Sequence, residues 1–216
     1  MRAKRNKLCY NGEDDRKNGV KTPKGETHMS MKTQTAWRFS MALGQQRHLT
    51  ASMRACAVWA AIEEHDKILD LSCGNGALLD HLSQNCQLTV CGMCDTPEMA
   101  REASELLGDA DVIAGRMEDI PWRDEAFDVV MLSGALRGKA RLALSEAIRV
   151  LRPGGQFVMA APLFRGIGEE ELTKRSVMRI MQDIGFREVS FRTAGLSGVL
   201  IGWKPGHAGG GPLRDA

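Results

Sequence analysis

The residues best suited to chemistry lie together at Asp70-Leu71-Ser72-Cys73-Gly74-Asn75-Gly76, with Ala77-Leu78-Leu79 behind them. Two glycines one residue apart let the backbone turn tightly and let a ligand rest directly on the main chain. If a helix starts at Gly76, its first N–H groups lack internal partners and suit a negative or electron-rich group. The spacing is not a dinucleotide fingerprint, because Leu79 stands where a further glycine or alanine is needed. It is not a phosphate loop either, which would need Gly-Lys followed by Ser or Thr.

Such a loop needs a strand before it and a helix after it. Lys67 to Leu71 (KILDL) is a short apolar run, as expected of a buried parallel strand. Gly76 to Leu82 should open the helix. Further strands are expected at Leu88 to Met93, Asp111 to Ala114, Phe127 to Leu132 and Gln156 to Ala161. Between them, Thr96-Pro97-Glu98 is a strong helix start, with Met99, Ala103, Leu106 and Leu107 as its apolar stripe. Leu144, Ile148 and Leu151 mark another helix, ended by Arg152-Pro153-Gly154-Gly155. Val177, Ile180, Met181 and Ile184 mark a helix that stops at Gly185. Phe186 to Arg192 and Ser197 to Trp203 read as a closing antiparallel pair. Ahead of all this, Trp37 to Glu64 reads as one or two helices broken near residues 44–50. Regular alternation of strand and helix predicts a parallel sheet covered on both faces. Ligands bind such sheets at the carboxyl ends of the strands, where the strand order reverses.

Composition fits one soluble domain. The chain has 216 residues, 43% hydrophobic and 26% charged, with a net charge of +2. That charge is too small to point to nucleic acid or a membrane surface. No apolar run reaches the roughly 18 residues of a membrane span. The opening MRAKRNKLCYNGEDD turns polar at once, unlike a secretory signal. Accordingly the six cysteines read as reduced thiols of a cytoplasmic protein. Residues 1–30 are basic and poor in apolar side chains, as in a disordered arm, and 205–216 are a Gly-rich tail. Residues 31–64 form a helical cap and 65–204 the ligand-binding domain.

The ordered set of motifs resembles class I S-adenosylmethionine-dependent methyltransferases of the type 11 group. KILDLSCGNGALLDHL is similar to the family's first motif. CGMCDTPEMAREA, GRMEDIPWRDEAFDVVML and ALSEAIRVLRPGGQFVMA follow in the family's order. The resemblance spans about Lys67 to Lys204. It implies an α/β, Rossmann-like, seven-stranded, mostly parallel sheet with an antiparallel last strand and helices on both faces. It also implies S-adenosylmethionine as cofactor. By position, Ser72, Cys73, Gly74, Asn75 and Gly76 would cradle its methionine part and sugar. Asp70 would hold the loop and the ammonium. Met117 and Glu118 would flank the adenine, and Ser133 the methionine part and the substrate. Three positions depart from the pattern. Ser72 replaces a usual glycine, Arg116 stands where an acid is common, and Cys94 stands where a carboxylate holds the ribose. Asp95, one residue on, fills that role only if the strand has already turned.

On the acceptor side, His48 is the candidate base and Arg137 the candidate holder of an oxyanion or carboxylate. Trp37, Phe39 and Met41 could line a pocket or simply pack on the core. After the fourth strand, Leu132-Ser133-Gly134-Ala135 lacks the Asn-Pro-Pro-Tyr type of sequence that resembles amide and nucleobase N-methyltransferases. A small-molecule acceptor is therefore expected, with the protein a monomer or homodimer and neither a membrane nor nucleic acid as partner. The rival readings are a binding protein with a weakened cofactor site and an RNA methyltransferase using the basic arm. Cys91 and Cys94 form a C-x-x-C on a strand, where they would face opposite sides, so no metal site is expected.

Overall fold

The computed structural model describes residues 49–134, 136, 139–162 and 173–206. Its sheet has seven strands: β1 (Lys67–Asp70), β2 (Thr89–Cys94), β3 (Asp111–Ala114), β4 (Phe127–Ser133), β5 (Leu151–Pro162), β6 (Arg187–Ala194) and β7 (Ser197–Trp203). Their spatial order is β3-β2-β1-β4-β5-β7-β6. Strands β1 to β5 pair in parallel, and β7 runs antiparallel to both of its neighbours. This is the expected architecture, and strand order reverses between β1 and β4.

Two cores sandwich the sheet. Helices α1 (Ala51–Trp59), α2 (Ala77–Asn85) and α3 (Pro97–Leu107) lie on one face, with Ala55, Cys56, Leu78, Leu79 and Ala103 packed on Ile68, Val129 and Val158. Helices α4 (Ala140–Val150) and α5 (Lys174–Asp183) cover the other, with Leu144, Ala147, Val177 and Met181 on Leu69, Val130 and Phe157. Adjacent strand residues alternate between the two cores, so every central strand is apolar on both sides. Each fully buried Leu, Ile or Phe contributes about 1.5–3 kcal/mol.

Local chemistry sets the element ends. Thr96 accepts a hydrogen bond from the Met99 amide at 3.3 Å, and Pro97 opens the helix, as the sequence predicts. Thr50 and Thr173 cap α1 and α5 in the same way. Most strand ends fall within two residues of expectation, and two boundaries differ by more. Within the described part of Trp37–Glu64, expected as one or two helices, α1 ends at Trp59, because Ala60 is extended. There the Gln156 side chain accepts from the Ala61 amide at 2.6 Å and donates to the Trp59 carbonyl at 3.4 Å, holding the exit. β5 starts at Leu151 rather than Gln156, since Leu151 already pairs with Phe127 before the register shifts. Leu151, expected in the helix, is already extended, so α4 ends at Val150 and Arg-Pro-Gly-Gly lies inside this irregular strand start.

Gly155 shows how tight that region is. A Cβ there would lie 2.9 Å from the Arg152 carbonyl oxygen and 3.0 Å from that of Asp128. Backbone cannot give way cheaply, so Gly155→Ala should destabilise the fold by about 1–3 kcal/mol in urea denaturation. Thr96→Ala, which removes one cap, should cost about 1 kcal/mol by the same measurement.

Candidate active site

Asp70 ends β1 at the point where strand order reverses, and it is fully buried. One carboxylate oxygen accepts the Ser72 amide at 3.0 Å; the other, Oδ2, is buried without a hydrogen-bond partner. Burial raises the Asp70 pKa to about 7, against a smaller downward pull from the Ser72 N–H. A second orphan is nearby in the topology. Ser133 ends β4, the strand beside β1, and its hydroxyl is also buried without a partner. Buried polar atoms are normally satisfied. Two unsatisfied ones at the carboxyl ends of adjacent central strands fit a polar ligand that supplies the missing bonds.

The loop between β1 and α2 is built to approach a ligand closely. Gly74 and Gly76 have φ of +56° and +81°, conformations that favour glycine. A Cβ on Gly74 would meet nothing within 4 Å, whereas one on Gly76 would lie 3.0 Å from Leu107 Cδ1. So Gly76 is needed for packing against α3, and Gly74 leaves open space over the loop. Gly76 donates back to the Cys73 carbonyl at 2.9 Å and caps α2 with no side-chain bond. Asn75 Oδ1 accepts from the Ala77 amide at 3.2 Å.

Cys94 and Asp95 take different positions. β2 is still extended at Cys94, whose buried thiol donates to the Gly74 carbonyl at 3.3 Å and lies 2.9 Å from Cys73 Sγ. Asp95 is exposed in the bend that follows. Gly115 donates to the Cys94 carbonyl at 2.9 Å, which draws the next stretch toward this strand end. In that stretch Met117 is buried in the core beneath α4. The Glu118 carboxylate accepts the Lys139 amide at 3.1 Å and pairs with Arg116 at 3.4 Å. Burial pushes the Glu118 pKa up, but these partners outweigh it and hold the group below the usual range. Cys91 packs in the core opposite to that of Cys94, as their spacing predicts.

Asp70, Ser72, Cys73, Gly74, Asn75, Gly76 and Cys94 are thus gathered at one strand end, with Ser133 on the adjacent strand. His48, Arg137, Trp37, Phe39 and Met41 lie outside the described residues. Two participants went unnoticed in the sequence. Cys56 on α1 donates to the Leu132 carbonyl at 3.4 Å; its thiol is pushed up by burial first and by the Asp70 charge second. Nothing in a lone helical cysteine signals this. Gly92 is the other: a Cβ there would lie 2.7 Å from Cys73 Sγ. A glycine inside an apolar strand marks such close approach and could have been read that way.

Residues 69–159 match the family model described as a methyltransferase domain. This stretch is similar to class I methyltransferase domains. An uncharacterized methyltransferase of Schizosaccharomyces pombe is 34% identical over 118 residues, covering 50% of this chain and 44% of the relative. A demethylmenaquinone methyltransferase of Paenarthrobacter aurescens is 31% identical over 117 residues, covering 50% and 46%. The chain therefore spans about half the length of these curated relatives. Among solved structures, a TehB-like SAM-dependent methyltransferase from Corynebacterium glutamicum superposes with a TM-score of 0.60 at 17% identity, covering 81% of this chain and 98% of that one. At that identity the likeness is one of fold.

The raised Asp70 pKa has a consequence for stability. Between its ordinary value of 3.8 and about 7, the folded chain binds the proton more tightly than the unfolded chain. The folded state therefore loses stability as pH rises through that window. Asp70→Asn should relieve this, making the ligand-free protein more stable at pH 8 by about 2–4 kcal/mol, with the gain gone below pH 4. Urea denaturation at the two pH values measures it.

Proposed function

We propose that this chain binds S-adenosylmethionine and transfers its methyl group to a small-molecule acceptor. The observation that carries this reading is the buried Asp70 carboxylate, with its unpartnered oxygen, beside a glycine loop that leaves open space over Gly74. A buried anion lacking a cation calls for a cationic ligand. The family's cofactor carries both an ammonium and a sulfonium, and it supplies an electrophilic methyl group when bound.

The chain's own residues would bind and align. Asp70 Oδ2 would accept the ammonium, while Oδ1 keeps the Ser72 amide and fixes the loop. Ser133 would offer its hydroxyl to the methionine part or the acceptor. Gly74 and Gly76 would let main chain lie against the sugar. Cys94 would stand at the ribose position, its S–H directed to the Gly74 carbonyl, and Asp95, in the bend after it, would meet the ribose hydroxyls. Met117 would lie at the adenine edge, and Glu118, tied to Lys139, would sit beside it. On the acceptor side, His48 would take a proton and Arg137 would hold an anion. Holding donor and acceptor in line is the main catalytic contribution of such a site.

A second reading has a specific observation behind it. The Cys94 thiol, in the place of a ribose-binding acid, is turned onto a loop carbonyl. That favours a binding protein that has kept the fold and weakened the cofactor site. Titration calorimetry with S-adenosylmethionine separates the two readings. Methyl transfer requires binding by the wild type, weakened at least about tenfold in Asp70→Asn by loss of one charged hydrogen bond. No heat at millimolar ligand supports the binding-protein reading instead.

A further inference from the structure

Cys73 and Cys94 come from separate elements, yet their sulfurs lie 2.9 Å apart. Three features hold them there. The Cys73 amide donates to the Met93 carbonyl at 3.0 Å, tying the glycine loop to β2. Gly92 leaves the room that the Cys73 side chain occupies against that strand. The Cys94 thiol donates to the Gly74 carbonyl at 3.3 Å, which leaves its sulfur to receive the Cys73 proton. A disulfide needs its sulfurs about 2.05 Å apart, so a shift of about 0.9 Å from the present 2.9 Å would close the bond. The other cysteines of this region do not compete: Cys91 is on the opposite face of β2, and Cys56 is bonded to the Leu132 carbonyl.

We propose that Cys73 and Cys94 form a reversible disulfide that switches the glycine loop from a tight-binding to a weak-binding form. The oxidant is a hydroperoxide. One thiol gives its electron pair to the peroxide, releasing alcohol or water and becoming a sulfenic acid. The second sulfur displaces water from it. In sum, two thiols and one hydroperoxide give one disulfide, one alcohol or water, and one water. A dithiol reductant reverses the change by exchange. Burial keeps both thiols protonated, helped at Cys73 by its bond to Cys94 and by the Asp70 charge. The pair therefore rests reduced and reacts slowly. On oxidation the proton that Cys94 gives to Gly74 is lost, and Cys73 is drawn toward β2. Both changes fall on the backbone between Asp70 and Gly76, where the ligand would sit.

The effect on ligand rests on the cofactor reading above; the bond itself does not. The test uses the full chain treated with hydrogen peroxide. The tryptic peptide from Ile68 to Arg101 contains Cys73, Cys86, Cys91 and Cys94, so variants must assign the link. Mass spectrometry should show loss of two hydrogens in the wild type and in a Cys86→Ser/Cys91→Ser double variant. The loss should vanish when Cys73→Ser or Cys94→Ser is added to that double variant. Calorimetry with S-adenosylhomocysteine should show affinity falling about tenfold in the oxidised double variant, the scale of one lost hydrogen bond, and recovering with dithiothreitol. A double variant that forms no link overturns the proposal, and so does a link that leaves affinity unchanged. If the reduced protein binds no ligand, the cofactor reading fails and takes the switch with it, while the mass measurement still decides the bond.

Discussion

A carboxylate sealed from water, with half of its hydrogen-bonding capacity unmet, constrains everything around it. Asp70 is anchored by the Ser72 amide on one oxygen alone. Keeping a charge in that position requires a rigid frame, because a loose one would let water in or let the side chain swing out. The frame is the pairing of β1 with β2 and β4, closed above by α1 and α2. Cys56 lies close enough to feel the Asp70 charge, so α1 belongs to the electrostatic surroundings of the site as well as to its packing.

The rest of the fold serves that frame. β5, β6 and β7 widen the sheet on one side, and β3 on the other. Away from the site, Arg149 binds Glu146, Asp124 and the carbonyls of Ile120 and Trp122, each bond within 2.9 Å. This clasp holds the connection between β3 and β4 against α4. Lys204 then ties the end of β7 to the Leu151 carbonyl at 2.7 Å. Both contacts lie near the amino ends of β4 and β5, opposite the ligand edge. The polar stitching thus secures the base of the sheet and leaves the other edge to the glycine loop.

Much of this was legible in the residues. Alternating apolar runs gave strand and helix identity, and Thr96-Pro97 gave a helix start to the residue, because capping is a local matter. The β1 loop was legible for the same reason. What escaped depended on long-range pairing. The start of β5 at Leu151 is decided by Phe127, a distant residue. Whether Cys94 or Asp95 turns toward the loop depends on where β2 stops, and strand ends are set by neighbours rather than by propensity. The Cys73–Cys94 contact needs the loop and strand registered against each other, and no spacing along the chain encodes that.

The grip of Gln156 on the exit of α1 has a mechanical meaning. Gln156 sits at the amino end of its strand's main ladder, whereas Ser52, in the first turn of the helix, meets Ser197 at the opposite edge, with hydroxyls 3.5 Å apart. The helix is thus held to the sheet at both ends. It cannot tilt away from the sheet without breaking one of these two holds.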